Sequence, residues 1–303
     1  MSSGRVEPSN DPPPTSSGQH VLMKDQTKIK KALRKTTIIV NSRDRNLVAN
    51  ASSSDFRITF RRPLTNIMSV ELLDGCVPIE LYTIDESWNK FILQEGTTKF
   101  TVIIPIGIYT EATLVTGLQT AMNTTTGVTN TYTVTQDPIT RKITIVGSTV
   151  AFALLFYSGQ YHDEIDYKTA AILSINSPAR QLGFGLNDYV SNAARTIVAP
   201  IPMDLDNFLN RMYIHINDSN NQSLHRMEMS NGRQDCFHML VYQPNAQPYL
   251  FLDKQMDMPI YESSPVPIAR MSGLQISFRD EFNRVMNFRG KEVNLVLEFT
   301  HLE

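Results

Sequence analysis

Cysteine is almost missing from this chain, with only Cys76 and Cys236 in 303 residues. Neither sits at the close spacing of a metal site, and both fall in apolar or strand-like runs. That fits two buried thiols in a reducing compartment better than a disulfide framework. An excess of charge is missing too: 28 basic residues stand against 30 acidic ones, for a formal net charge of −2. Such a balance removes any global electrostatic case for nucleic-acid binding. There is no long hydrophobic run either. The first residues, MSSGRVEPSNDPPPTSSGQ, hold no apolar core of a secretory signal, and the uncharged stretch Val146 to Tyr161 is too short and too polar for a spanning helix. The expectation is a protein made and kept in the cytosol.

Catalytic signatures are also lacking. The six histidines, His20, His162, His215, His225, His238 and His301, never fall into HExxH or another paired ligand spacing, and no G-x-S-x-G elbow occurs. Gly183-Phe184-Gly185 lacks the remainder of a dinucleotide fingerprint. His162-Asp163-Glu164-Ile165-Asp166 offers carboxylates to a hard cation, but without an Asp-x-Asp-x-Asp-Gly loop it reads as an exposed acidic loop. No catalytic residue, metal ligand, cofactor or small-molecule substrate is assigned.

What is present is alternation. Thr36 to Val40 is β-branched at every position and stops at a polar turn, Asn41 to Asn46. Phe56, Ile58 and Phe60 then oppose Arg57, Thr59 and Arg61, and after Pro63 a third run covers Ile67 to Leu73. Phe100, Val102 and Ile104 form a short strand ended by Gly107. Thr110 is placed to cap a helix that carries an apolar stripe of Leu114, Leu118, Ala121 and Met122. Tyr132 to Val134 and Ile143 to Val146 flank a proline-containing turn and predict a hairpin. Val150 to Tyr157 is a further apolar run.

In the second half, Met212, Ile214 and Ile216 share one face. So do Phe237, Met239 and Val241, then Leu274, Ile276 and Phe278, and finally Val293, Leu295, Leu297 and Phe299, with Arg289-Gly290-Lys291 as the last turn. Loops are expected at Asn217 to Asp235 and Gln243 to Pro267. A dozen short strands and one clear helix predict an all-β fold, an antiparallel β-sandwich forming a single jelly roll.

Residues 1–35 read differently. Ser, Pro and Gly dominate up to Gln19, which predicts a disordered arm, and a basic run of Lys24, Lys28, Lys30, Lys31, Arg34 and Lys35 follows. That run suits either an acidic partner surface or plain solvation. The domain is expected to span 36–303.

Three spaced segments carry a resemblance. Asn41-Ser42-Arg43-Asp44-Arg45 with the following S-x-D-F-x-I-x-F and P-L-x-N-I-x-S-V-E-L runs is the first. Ile104-Pro105-Ile106-Gly107-Ile108-Tyr109 is the second, and Leu182-Gly183-Phe184 the third. Together they resemble the jelly-roll capsid proteins of nucleocytoplasmic large DNA viruses, the giant viruses. The resemblance implies a structural virion protein rather than an enzyme, made in host cytoplasm and located in the capsid. Because major capsid proteins of that group carry two jelly rolls, the length favours the penton, a homopentamer that closes the icosahedral five-fold vertices and contacts major and minor capsid proteins. Its basic arm would reach neighbouring capsomers, the genome or an internal membrane side. Two alternatives stay open. One is a minor capsid protein cementing the inner face of the shell. The other is a glycan- or receptor-binding β-sandwich, with Tyr249, Phe251 and Tyr261 as the loop aromatics.

Overall fold

Strands form wherever the sequence alternates, and they are long where both flanks find partners. The computed structural model describes residues 32–46, 52–166, 171–206, 209–228, 235–253, 260–262 and 266–302. In the first third lie β1 (Leu33–Asn41), β2 (Asp55–Pro78), β3 (Lys90–Glu95) and β4 (Thr98–Ile103), followed by helix α1 (Glu111–Thr124). The middle holds β5 (Tyr132–Gln136), β6 (Ile143–Gly147), β7 (Phe152–Leu155), β8 (Glu164–Asp166), β9 (Ala171–Ser174), β10 (Asp188–Val190) and β11 (Thr196–Val198). The last third runs through β12 (Arg211–Asp218), β13 (Met227–Glu228), β14 (Asp235–Cys236), β15 (His238–Val241), β16 (Tyr249–Leu252), β17 (Ile260–Glu262), β18 (Ile268–Arg279) and β19 (Asn294–Leu302).

The main sheet has eight strands in the order β1-β19-β2-β18-β12-β15, with β16 and β17 also on β2, and every pairing in it is antiparallel. Strand β2 organises it. Its first half pairs with β18 and its second half with β19, and Phe60 of the first half meets Phe299 of β19 edge-on at 5.7 Å. The sheet therefore curls around a common apolar core, and the fold is an antiparallel β-sandwich of the jelly-roll class, with a single α-helix among the described residues. Sequence reading splits β2 at Pro63. The chain instead keeps one strand, because the register with β18 shifts between Met271 and Gly273 and leaves the proline in a bulge where no ladder N–H is required.

A second apolar cluster, running from Ile84 to Leu209, belongs to the chain between β2 and β12. It lies under α1, the four-stranded sheet β10-β7-β3-β4 and the three-stranded sheet β11-β6-β5. The helix forms as its sequence predicts. Thr110 and Thr113 cap it reciprocally, and Leu114, Leu118, Ala121 and Met122 are the buried stripe. Both clusters fall in one compact unit, Leu33 to Glu303.

Between them Arg284 acts as a clip. Its guanidinium binds Asp280 (2.8 Å from Nε), donates to the Ile175 carbonyl at 3.0 Å and lies over the Trp88 ring at 4.8 Å.

Other expectations need correction. The fold begins at Leu33 rather than Thr36, so Arg34 and Lys35 of the basic run are strand residues paired with His301 and Thr300. A 3-10 turn, Glu86–Trp88, leads directly into β3. Phe237, Met239 and Val241 do not share a face. Phe237 lies just outside β15, so Leu240 turns inward opposite Met212 and Val241 is left 66% exposed. The expected loops 217–235 and 243–267 contain β13 and the beginning of β14, and β16 with β17, respectively.

Candidate functional site

Asn41 opens a 3-10 turn, Ser42–Asp44, by accepting the Arg43 N–H at 2.9 Å. That turn pushes Ser42 into the interior, where it is fully buried. Its N–H donates to the Val293 carbonyl and its hydroxyl accepts the Val293 N–H, both at 2.9 Å, while the hydroxyl proton goes to the Glu292 carboxylate. Arg45 closes the knot, with one guanidinium nitrogen 2.7 Å from the same carboxylate and 2.6 Å from the Ser42 carbonyl. Burial alone would raise the Glu292 carboxyl, but the Ser42 and Arg45 hydrogen bonds prevail and hold it below its ordinary range. Arg43 and Asp44 stay exposed.

The motif thus ties the end of β1 to the start of β19. Replacing Arg45 by alanine is expected to cost about 1–2 kcal/mol, since it strips one charged hydrogen bond from a partly buried carboxylate. Urea unfolding would measure it.

The second motif ties the entry of α1 to the chain after β2. Gly107 exchanges hydrogen bonds with Ile84 at 3.0 and 3.1 Å. The Tyr109 N–H donates to the Thr83 hydroxyl at 3.1 Å, and the Tyr109 hydroxyl donates to the Pro105 carbonyl at 2.7 Å. The Tyr109 ring fills the space that side chains on Gly107 and Gly117 would take, at 3.2 and 3.0 Å.

The third motif is a single tight turn. The Leu182, Gly183 and Phe184 N–H groups reach back to the carbonyls of Pro178, Arg180 and Ala179, and Leu182 and Phe184 are buried. Phe184 packs against Phe156 at 5.3 Å and Tyr189 at 4.9 Å.

Asp163, expected in an exposed acidic loop, is instead buried beneath this turn. It accepts the Asn176 and Ser177 N–H groups at 2.9 and 3.1 Å and pairs with Arg180 at 3.2 Å. The carboxylate is consumed as a brace. Among the described residues no three His, Cys, Asp or Glu side chains stand close enough to hold a metal ion.

Of the basic run, Lys24, Lys28, Lys30 and Lys31 lie outside the described residues. Lys35 pairs with Glu298 at 2.5 Å on the surface. Both thiols are free, and burial pushes Cys236 up to about 11 and Cys76 above its ordinary value. The three loop aromatics part company: Tyr261 packs on the core, Tyr249 lies under the Lys291 ammonium at 5.5 Å, and Phe251 is 65% exposed.

A buried carboxylate that the sequence does not flag is Glu95. It receives four hydrogen bonds, from the Thr129 N–H (2.7 Å), the Asn130 N–H (3.0 Å), the Asn130 side-chain amide (2.9 Å) and the Tyr132 hydroxyl (2.6 Å). Its only signal is a charged residue that ends an otherwise buried strand and turns inward with it.

No curated protein matches the chain. A crystal structure of the mavirus penton protein is similar over 88% of this chain and 99% of its own, at 10% identity and a TM-score of 0.38. A family model described as a family of unknown function, DUF5901, matches residues 28–226. That span is more than half the chain, and the chain belongs to this family of unknown function.

Proposed function

We propose that this chain is a structural capsid protein, and specifically a penton capsomer that assembles as a homopentamer at five-fold vertices beside other capsid proteins. The observation that carries the reading is where the resemblance falls. All three segments shared with jelly-roll capsid proteins are joints of the fold: Ser42 and Arg45 lock the first strand to the last, Gly107 and Tyr109 seat the helix, and Gly183 sets the turn that Asp163 braces. What is shared is the means of holding a rigid building block, which is what a shell requires of its subunits. In this reading Leu33 onward is the capsid domain and the basic run before it reaches neighbouring capsomers.

Light scattering on the purified full-length protein, over a range of concentration and salt, tests it. A species near five times 34.2 kDa is expected. A monomer that is also absent from purified particles would overturn the capsid role, and a monomer present in particles would favour cementing of the inner shell.

A further inference from the structure

Strand β1 lies at an edge of the main sheet. It pairs with β19 alone, so its other side has no partner strand among the described residues. Its centre, Thr36 to Val40, is β-branched at every position and uncharged, and Ile39 is 71% exposed. Sheets usually blunt such an edge with a charge, a proline or a bulge, because unpaired N–H and C=O groups template another strand.

This edge opens onto a groove. Across about 720 Å³, β1 faces the first half of β2, which pairs with β18 from Asp55 to Ile67 on one side, while β19 joins the other side only from Ile67 onward. Ile38, Ile58 and Leu64 line the groove, are only partly buried and pack on the main core, so they form an apolar floor. Arg34, Arg61 and Arg62 line it against a single acid, Asp44. Arg61 and Arg62 are exposed, and neither is ion-paired among the described residues.

We infer that the groove takes one extended, acidic segment of a different protein, added as a strand to the open edge of β1. The backbone of the segment pairs with β1, its apolar side chains cover Ile38, Ile58 and Leu64, and its carboxylates meet Arg61 and Arg62. Strand β1 is the template rather than β2, because Pro63 and the bulge beside it interrupt the β2 edge. Charge decides where the segment comes from. Outside the described residues this chain has no match: Lys24, Lys28, Lys30 and Lys31 stand against Asp25, and the two acids before them, Glu7 and Asp11, each precede a proline, which has no N–H for a ladder. None of the internal segments outside the described residues is net acidic.

Fluorescence anisotropy with the full chain tests the site. The probe is a labelled peptide of about ten residues in which glutamate alternates with valine, and binding tighter than about 1 mM is expected. The same peptide with lysine for glutamate is expected to bind at least about 10-fold more weakly. So is the glutamate peptide N-methylated at every residue, which keeps its charges and loses its ladder donors. Arg61→Glu with Arg62→Glu is expected to weaken the glutamate peptide by at least about 10-fold, with circular dichroism to check the fold. Saturating peptide is expected to slow hydrogen exchange at the β1 amides. No binding below about 1 mM, an affinity that survives N-methylation or the double substitution, or β1 amides that exchange as before would each overturn the inference. An oligothymidylate of about twelve nucleotides that outcompetes the peptide on the unaltered chain would overturn it in favour of a single-stranded nucleic acid. None of these outcomes depends on whether the chain forms a pentamer.

Discussion

Gly183→Ala is expected to destabilise the chain by at least about 3 kcal/mol, more than any other single methyl added at the motif residues. Two penalties combine. Gly183 sits at φ +81°, in the left-handed region that costs an alanine roughly 1–2 kcal/mol. A Cβ there would also lie 2.3 Å from the Ile201 carbonyl oxygen and 3.0 Å from that of Pro202, and both obstacles are backbone. Neither can rotate away as a side-chain tip would. The Ile201 N–H donates to the Gly183 carbonyl at 3.2 Å, so a shift that relieves the clash also breaks the bond that docks this turn on the following segment. Gly290→Ala is the matching control: its φ is +74°, but a Cβ there meets nothing within 4 Å, so only the conformational cost of about 1–2 kcal/mol applies. Thermal unfolding of both variants separates the two contributions. A drop of roughly 6–12 °C is expected for Gly183→Ala, against a few degrees for Gly290→Ala. Equal drops would mean that the close approach to Ile201 contributes nothing.

This contrast shows which parts of the molecule a sequence reader can reach. Local physics was legible: Thr110 caps α1 as its position suggests, the β5–β6 hairpin closes over the proline-containing turn, and Arg289 and Gly290 turn the chain with positive φ. Period-2 alternation located most strands, because a half-buried strand writes its own pattern. The failures occur where a partner strand decides. Pro63 looks like a strand end in isolation, yet a bulge opposite Met271 and Gly273 accommodates it. Val241 looks inward by counting from Phe237, but the ladder with Met212 selects Leu240. Asp163 looks solvated because carboxylates usually are, and only the distant Arg180 and Ser177 make its burial tolerable.

Glu95→Gln is the second change with a large expected effect, about 2–4 kcal/mol at neutral pH. The residue is 6% exposed and all four of its hydrogen-bond partners are donors, so the site is built for an acceptor with two oxygens. Glutamine supplies one oxygen. Its NH₂ group would face either the Thr129 N–H or the Asn130 and Tyr132 donors, leaving a buried donor opposed to a donor. Burial by itself would raise the Glu95 carboxyl, but the hydrogen bonds, led by that from Tyr132, outweigh it and hold the group below 4.5. The sign of the pH dependence follows. A carboxyl depressed in the folded state contributes stability that is fully present above its unfolded value and is lost as pH falls through the folded value. Wild type should therefore lose this contribution below about pH 4.5, whereas Glu95→Gln has no proton to take up there. Urea unfolding of both proteins at about pH 7 and about pH 3.5 is the measurement, with the gap between their midpoints expected to narrow on acidification. A gap that stays constant or widens would mean that the carboxylate is not what holds Asn130 and Tyr132 in place, and that the charge at the end of β3 is incidental to the second core.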